Sequence, residues 1–142
     1  MAQPVVYKRE GDVHSFQTGV AGLENLTIDY TEVPSEERTG LAKQLLACSL
    51  LSCYGAMLAT ALEVRGADVT SIIGKATPEF GKSSTGQARV TKMKLEFTVH
   101  LDEDDAPIFD RCAKIMKKGC LLTGSVHDGI EMSYDLEPVF EE

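Results

Sequence analysis

The sequence lacks the surplus of basic residues that nucleic-acid binding requires. Its 142 residues include 14 lysines and arginines against 22 aspartates and glutamates, which gives a net charge of -8 at pH 7. The phosphates of nucleic acid repel such a chain unless basic side chains concentrate on one patch. The densest basic group is Lys114, Lys117 and Lys118, which is too small for that role. The composition therefore argues against a nucleic-acid partner.

The N-terminus lacks the apolar core of a secretory signal peptide, since residues 1–8 include a glutamine, a proline, a tyrosine and a lysine. We therefore expect the protein to stay in the reducing cytoplasm. The chain has four cysteines. In that compartment they are expected to be free or catalytic thiols rather than a framework of structural disulfides.

Motifs for metals, nucleotides and hydrolysis are also missing. Zinc sites need closely spaced His and Cys ligands, whereas His14, His100 and His127 are dispersed and pair with no cysteine. Segment 81–86 is small and polar, but it lacks the residue order of a phosphate-binding loop and predicts a hairpin turn. No Ser-His-Asp arrangement has a recognisable local context. We therefore expect no metal and no cofactor.

What the sequence does contain is a long run with almost no charge, residues 45–62. The run is about as long as the shortest membrane-spanning helices, roughly 17 residues, but its Ser, Cys, Tyr, Gly and Thr residues weaken its hydrophobicity. The flanking segments predict amphipathic strands that need a soluble core. We therefore expect a helix buried on nearly all sides and no membrane association. One protomer of this size would struggle to cover such a helix, which indicates a partner subunit.

The order of predicted elements indicates an α+β fold in a single domain over residues 1–142, with an antiparallel sheet backed by helices. The pattern is β-β-β-α-β-β-α-β. In chain order it comprises strands 5–9, 13–19 and 26–30, a long helix from about Gly40 to Gly66, strands 69–80 and 90–101, a helix over 105–119 and a last strand over 130–137.

The cysteines occupy different contexts along these elements. Cys53 lies inside the long helix, where an unreactive buried thiol is the plainest interpretation. Cys48 points about 140° away from it, so those two thiols cannot pair within the helix, and for Cys48 too we expect an unreactive buried thiol. Cys112 falls on the apolar stripe of the second helix, as a core residue would. Cys120 follows the glycine that ends that helix, where the negative end of the helix dipole disfavours a thiolate and Lys117 and Lys118 oppose that effect.

Several segments together resemble the OsmC/Ohr family of thiol peroxidases. Residues 44–62 are similar to the central helix of that family, which carries a Leu- and Ala-rich run ending in a small residue, a cysteine and an aromatic residue. The similarity continues through strand 91–99, through residues 109–120 leading to a second cysteine, and through a last strand at 129–136. It covers most of the chain from about residue 20 onward. The two cysteines stand in the family's order, context and separation.

The resemblance implies an intertwined homodimer with the long helices at its centre and two active sites at the interface. It also implies a peroxidase that reduces organic hydroperoxides or hydrogen peroxide, with electrons supplied by a dithiol reductant. Carried over to this sequence, Cys53 attacks the peroxide and becomes a sulfenic acid. Cys120 then resolves it through a disulfide. Tyr54 is expected to help shape the peroxide pocket.

The sequence departs from the family at the residues that activate the first cysteine. The family has a glutamate about ten residues before that cysteine, where Lys43 stands here, and an arginine where Val33 stands here. Arg38 with Glu36 or Glu37 is a candidate substitute pair. Lys43 is a second candidate for stabilising the thiolate, although ten helical residues span about 15 Å.

Two alternatives to a peroxidase stay open at this point. The first is a dimeric binding module that keeps the scaffold and holds a small apolar or thiol-reactive ligand at its interface. The second is a purely structural dimer whose thiols never meet. Bridged cysteines need Cα atoms within about 7 Å of each other, so the placement of Cys53 and Cys120 separates these possibilities.

Overall fold

The computed structural model describes residues 3–139. The chain divides into two compact units, one up to Ala42 and one from Lys43 onward, and each is described separately. The predicted mixture of helices and antiparallel strands is confirmed, but the strands form two sheets instead of the one expected. A single domain over residues 1–142 stays a prediction.

The first unit is built on a three-stranded antiparallel sheet in the order β1-β2-β3. The strands are β1 (Val6–Glu10), β2 (Val13–Val20) and β3 (Leu23–Asp29). The turn between β1 and β2 follows Glu10, which pairs with Val13. Gly11 occupies it with a φ of 59°, a conformation that glycine adopts without steric cost. The three predicted strands and the first hairpin turn are therefore confirmed.

The second unit begins within the long helix α1 (Leu41–Glu63) and continues into the hairpin formed by β4 (Val69–Lys82) and β5 (Ala88–Leu101). Gly40 and Gly66 flank the helix with φ values of 84° and 85°, as the sequence predicted for its two ends. The segment that superficially suggested a phosphate loop forms the hairpin turn, where the Ser83 amide donates to the Gln87 carbonyl.

Two shorter helices complete the second unit, α2 (Ala106–Ile115) and α3 (Leu121–Asp128). A 3-10 turn, Met116–Lys118, lies between them. The core combines the C-terminal half of α1 with α2 and with the alternate side chains of β5 that face inward. Its most buried members are Leu58, Leu62, Ala67, Cys112 and Met116. This packing holds the middle of α1 against the chain segment where α3 begins.

The expected last strand is wrong for this structure, because residues 129–139 form no strand. Its apolar side chains are largely exposed, with Met132 at 62% and Tyr134 at 78%. The helix α3 was not predicted at all. An alternating apolar pattern specifies a strand only where a neighbouring edge supplies hydrogen bonds, and within residues 3–139 these residues meet no such edge.

The helix α1 is much less covered than the sequence predicted. Only Ala47, Leu50, Leu58 and Leu62 are buried along it. The segment Ser35–Glu63 has the length and composition of a membrane-spanning helix, with 22% of its most apolar stretch buried. Soluble core helices meet the same criteria, so this property alone carries little weight. The expectation of burial on nearly all sides fails for the single chain, because the rest of the chain covers only one side of the helix.

Candidate functional site

The site lies where the middle of α1 meets the beginning of α3. The helix α1 contributes Cys53 and Tyr54, which are both half-buried. The other side of the site is a tight turn at Gly119, which has a φ of 78° and a ψ of -178°. Cys120 follows this turn as the N-cap residue of α3, and only 7% of its surface is exposed.

Cys120 and Thr123 cap α3 through reciprocal hydrogen bonds. The Thr123 amide donates to the Cys120 Sγ at 3.4 Å, and the Cys120 amide donates to the Thr123 Oγ1 at 2.8 Å. The same Oγ1 lies 3.2 Å from the Cys120 Sγ. The arrangement is a capping box in which a cysteine sulfur takes the place of the usual serine or threonine oxygen.

The structure brings the Cys53 and Cys120 thiols together. Hydrogen bonding to Cys120 is the main cause that raises the pKa of the Cys53 thiol, although the Leu122 amide opposes it. For Cys120, burial is the largest single influence and raises the pKa. The combined hydrogen bonds from Cys53 and Thr123 outweigh burial and lower it. The two thiols are therefore close enough to influence each other's pKa, and the alternative in which the thiols never meet does not describe this structure.

The expectation for the helix dipole at Cys120 is wrong. The sequence placed this residue only after the negative end of the second helix. The structure also makes it the N-cap of α3, whose N-terminus carries partial positive charge. Thiolates are stabilised at helix N-termini. The sequence pattern after residue 120 predicted a loop and a strand, so a helix N-terminus was not expected there.

Tyr54, the neighbour of Cys53 in α1, is held in place by two contacts. Its hydroxyl donates to the Met116 carbonyl at 3.0 Å, and its ring stacks on Phe97 with the centroids 5.1 Å apart. Burial raises the pKa of Tyr54, and the charge of Cys120 raises it further, so the hydroxyl stays protonated. Tyr54 therefore joins α1 to the 3-10 turn that precedes Cys120.

A cleft of about 830 Å³ adjoins this site. Apolar side chains from α1 and β5 form much of its lining, and the turn and helix around Cys120 contribute Gly119 and Thr123. Tyr54 is also among its lining residues, and its role in a peroxide pocket stays a prediction. Three lysines, Lys92, Lys117 and Lys118, lie among its lining residues. The cleft therefore combines an apolar lining with a cationic contribution.

The match to a known family covers most of this unit. The model of the OsmC-like protein family matches residues 42–135. The chain belongs to the OsmC-like protein family. A solved structure of an OsmC-like protein of unknown function from Vibrio cholerae O1 biovar eltor is similar in fold, with a TM-score of 0.63 and 18% sequence identity. The alignment covers 88% of this chain and 94% of that one.

None of the curated proteins compared with this sequence matches it. The family membership and the structural match therefore establish the OsmC-like fold, which confirms the resemblance read from the sequence.

The predicted substitutes for the OsmC-like activating pair occupy other interactions. The Arg38 guanidinium binds the Asp12 carboxylate at 3.0 Å and the Val33 carbonyl at 2.7 Å. Its carboxylate partner among the described residues is therefore Asp12 and not Glu36 or Glu37, both of which are exposed. The predicted pairing of Arg38 with Glu36 or Glu37 is therefore wrong. The two glutamates lie in a 3-10 turn, whereas the next residue, Arg38, pairs with Asp12 in the turn before β2.

Lys43 does not activate Cys53 within the single chain. Its ammonium lies 5.1 Å from the centroid of the Phe80 ring, a cation–π contact within the second unit. It is not among the groups that shift the pKa of Cys53. Its position in the first turn of α1 places it about 15 Å along the helix from that thiol, as the sequence spacing indicated.

The other two cysteines lie outside the pair. Cys112 is fully buried and donates from its Sγ to the Ala61 carbonyl at 3.3 Å, which confirms its predicted core position. Cys48 is exposed in the single chain, so the expectation of a buried thiol is wrong there. It lies on a side of α1 that the rest of the chain leaves uncovered.

Thr123 is the functional residue that sequence reasoning missed. The signal was present, since a residue that can accept a hydrogen bond, followed three positions later by a polar residue, marks a helix N-terminus. Here Cys120, which follows Gly119, stands three positions before Thr123. Cysteine is not among the usual N-cap residues, so the capping box was not identified.

Proposed function

We propose that this OsmC-like protein is a cysteine-based peroxidase that reduces organic hydroperoxides or hydrogen peroxide. The observation that carries the proposal is the contact between Cys53 and Cys120 beside the N-terminus of α3. A thiol pair that can share one proton is suited to losing two electrons and forming a disulfide. Family membership supports the scaffold for this chemistry.

The proposed cycle balances with one peroxide and two thiols. A thiolate attacks one peroxide oxygen, so a sulfur–oxygen bond forms, the oxygen–oxygen bond breaks and the alcohol leaves with a proton. The second thiol then attacks the sulfenic acid and releases water, leaving a disulfide. A dithiol reductant restores both thiols by two exchange steps. No metal or organic cofactor takes part in this cycle.

We also propose that the active protein is a homodimer in which α1 packs against α1 of a second copy. The uncovered side of α1 carries exposed small residues, Ser49, Ser52, Ala56 and Thr60. Small side chains let two helices approach closely, and the long apolar run of this helix is otherwise exposed to water. We place the protein in the cytoplasm, where a dithiol can keep its four free cysteines reduced.

Stopped-flow mixing of the reduced protein with cumene hydroperoxide tests the activity. We expect a reaction faster than that of free cysteine by at least about tenfold, together with loss of two thiols per protein and appearance of a Cys53–Cys120 disulfide in peptide mass spectra. A Cys48→Ser variant is the matched control, since Cys48 lies outside the pair, and it should react like the unmodified protein.

A rate equal to that of free cysteine would reject the peroxidase. The binding module would then be the remaining interpretation, and a ligand retained by a Cys53→Ser variant would support it. Oxidation that stops at sulfenic acid without a disulfide would reject the two-cysteine cycle while keeping peroxide reactivity.

A further inference from the structure

The Cys120 sulfur is contacted by two groups of one residue, Thr123. The Thr123 amide donates to this sulfur at 3.4 Å, and the Thr123 Oγ1 lies 3.2 Å from it. The amide contact belongs to the backbone of the helix cap, so any residue at position 123 except proline can make it. The hydroxyl contact requires a threonine or serine side chain. A substitution at this position therefore removes one contact to the sulfur and keeps the other.

The Thr123 hydroxyl is oriented by the backbone of the cap. Its oxygen accepts the Cys120 amide proton at 2.8 Å, which uses one of its two lone pairs. The Cys120 carbonyl lies 3.4 Å from the same oxygen, but this carbonyl already accepts the Gly124 amide at 2.9 Å. The proton and the second lone pair of the hydroxyl are therefore available to the Cys120 sulfur.

This hydroxyl fits the Cys120 sulfur in both of its protonation states. Towards a neutral thiol, the oxygen offers a lone pair that accepts the S–H proton, and towards a thiolate it offers its own proton. The second bond is the stronger one, because hydrogen bonds to charged groups are about twice as strong as neutral ones. The sulfur therefore keeps a hydrogen-bonded position while it loses its proton and becomes a nucleophile.

We propose that Thr123 is the positioning residue of the resolving step, in which the Cys120 sulfur attacks the oxidised Cys53. This role rests on the proposed peroxidase function, with Cys53 as the attacking thiol and Cys120 as the resolving thiol. Access from solution favours the same order, because Cys53 is half-buried whereas only 7% of the Cys120 surface is exposed. A covered sulfur in a fixed position is suited to react with its neighbour rather than with a molecule from solution.

The resolving step exchanges one bond for another at the Cys53 sulfur. A bond forms between the Cys120 and Cys53 sulfurs, and the bond from the Cys53 sulfur to its hydroxyl oxygen breaks. The proton that leaves Cys120 joins the departing hydroxide, so a sulfenic acid and a thiol become a disulfide and water. The Thr123 hydroxyl exchanges no bond with Cys53. It holds the nucleophilic sulfur in orientation, which speeds a reaction between groups that already lie side by side.

Single-turnover reaction with one equivalent of cumene hydroperoxide separates the two steps. All variants are made in a Cys48→Ser background, so that the exposed thiol does not contribute. Thr123→Val keeps the shape of the side chain and removes the hydroxyl. We expect sulfenic acid to form at Cys53 at an unchanged rate and the disulfide to form about tenfold more slowly, the size expected for one hydrogen bond to a charged group. Thr123→Ser should restore the rate.

Dimedone trapping followed by peptide mass spectrometry measures the lifetime of the sulfenic acid. The Thr123→Val variant should give more dimedone adduct at Cys53 than the parent protein. Ser125→Ala is the matched control, since the Ser125 hydroxyl donates to the Leu121 carbonyl at 2.7 Å within the same helix. It should leave both steps unchanged, and urea denaturation compares the stability of the two variants. Equal slowing of the disulfide by both variants would overturn the positioning role, because it would trace the effect to a weakened helix.

A second assay follows the attack of Cys120 without peroxide. The aromatic disulfide dithiobis(nitrobenzoate) reacts with the more accessible Cys53, which forms a mixed disulfide and releases one thionitrobenzoate. The Cys120 sulfur then attacks the Cys53 sulfur and releases the second thionitrobenzoate, and each thiol gives its proton to the solvent. We expect Thr123→Val to slow the second release about tenfold and to leave the first unchanged. Cys120→Ser should abolish the second release.

The outcomes separate the role of Thr123 from the proposed function. No reaction of the unmodified protein with cumene hydroperoxide would overturn the peroxidase, and a slower second release in Thr123→Val would then still support the positioning of Cys120. Unchanged disulfide formation in Thr123→Val, in both assays, would overturn the positioning role and keep the peroxidase. Thr123→Ala repeats the test with a residue that favours the helix, and it should slow the disulfide to the same extent.

Discussion

At the level of single residues, the site depends on the turn from Gly119 to Thr123. Gly119 has a φ of 78° and a ψ of -178°, a combination that residues with a Cβ almost never adopt. A Cβ built there would lie 2.7 Å from the Thr123 Oγ1, the atom that contacts the Cys120 sulfur. The backbone of this one residue therefore controls both the fold of the turn and the environment of the thiol.

We expect Gly119→Ala to lower the free energy of unfolding by about 1–3 kcal/mol, because alanine is strained in this conformation. The displaced Thr123 hydroxyl should also slow the alkylation of Cys120. Urea denaturation and iodoacetamide labelling measure the two effects. Gly124→Ala is the control within the same helix, since no atom lies within 4 Å of its added Cβ. It should be neutral or stabilising by up to about 1 kcal/mol, and equal stability of the two variants would contradict the expectation.

The candidate thiols were predictable from sequence because each stood in a recognisable helix context. Their chemical asymmetry was not, because it depends on an N-cap that cysteine rarely forms. The predicted substitutes for the family's activating pair were wrong for a related reason. Arg38 was near two glutamates in sequence, but its guanidinium pairs with Asp12, 26 residues away along the chain.

At the level of elements, α1 is held against the β4–β5 hairpin by a close contact at Gly74. The ring of Phe97, on β5, packs over this glycine and stacks on Tyr54 of α1. A Cβ at position 74 would lie 2.7 Å from Phe97 Cε1 and 3.1 Å from Leu51 Cδ2. Because Gly74 has no side chain, α1 can pack closely against the β4–β5 hairpin at this position.

Gly74→Ala should destabilise the protein by about 1–3 kcal/mol, since the ring of Phe97 must move and Tyr54 with it. Thermal or urea unfolding measures the loss. Gly55→Ala on α1 serves for comparison, because its Cβ would meet Phe97 Cε1 at 3.4 Å, an ordinary contact. That variant should match or exceed the stability of the unmodified protein, as alanine favours helices. A Gly74→Ala protein as stable as Gly55→Ala would argue against the close packing.

The helices and strands that were predicted correctly are those that local sequence patterns specify. Strands β1 to β5 and helices α1 and α2 were predicted from periodicity and from flanking glycines, which are properties of the chain itself. The helix α3 was missed because its eight residues include glycine, threonine, serine and valine, which are weak helix formers. Its formation depends on the cap at Cys120 and Thr123.

At the level of the whole molecule, the proposed dimer would cover the exposed side of the long apolar helix α1. We expect sedimentation equilibrium to show a dimer at micromolar concentration. Ala56→Lys places a charged side chain on the uncovered side of α1, where it should weaken the dimer at least about tenfold because an unpaired charge would be buried. Gln87→Lys, at the exposed tip of the β4–β5 hairpin, makes the same charge change and should leave the dimer intact. A monomeric unmodified protein would reject the proposed dimer.

The sequence by itself determined the α+β class, most of the elements and the family, because hydrophobic periodicity and turn residues act over short stretches of chain. Only the tertiary structure decided which groups surround the two cysteine sulfurs. It brought Cys53 of α1 to Cys120 of α3, placed Thr123 against one sulfur and left Lys43 and Arg38 in other contacts. The acidity of a thiol depends on the charges and donors within a few ångströms of the sulfur, and residues distant in sequence supply them.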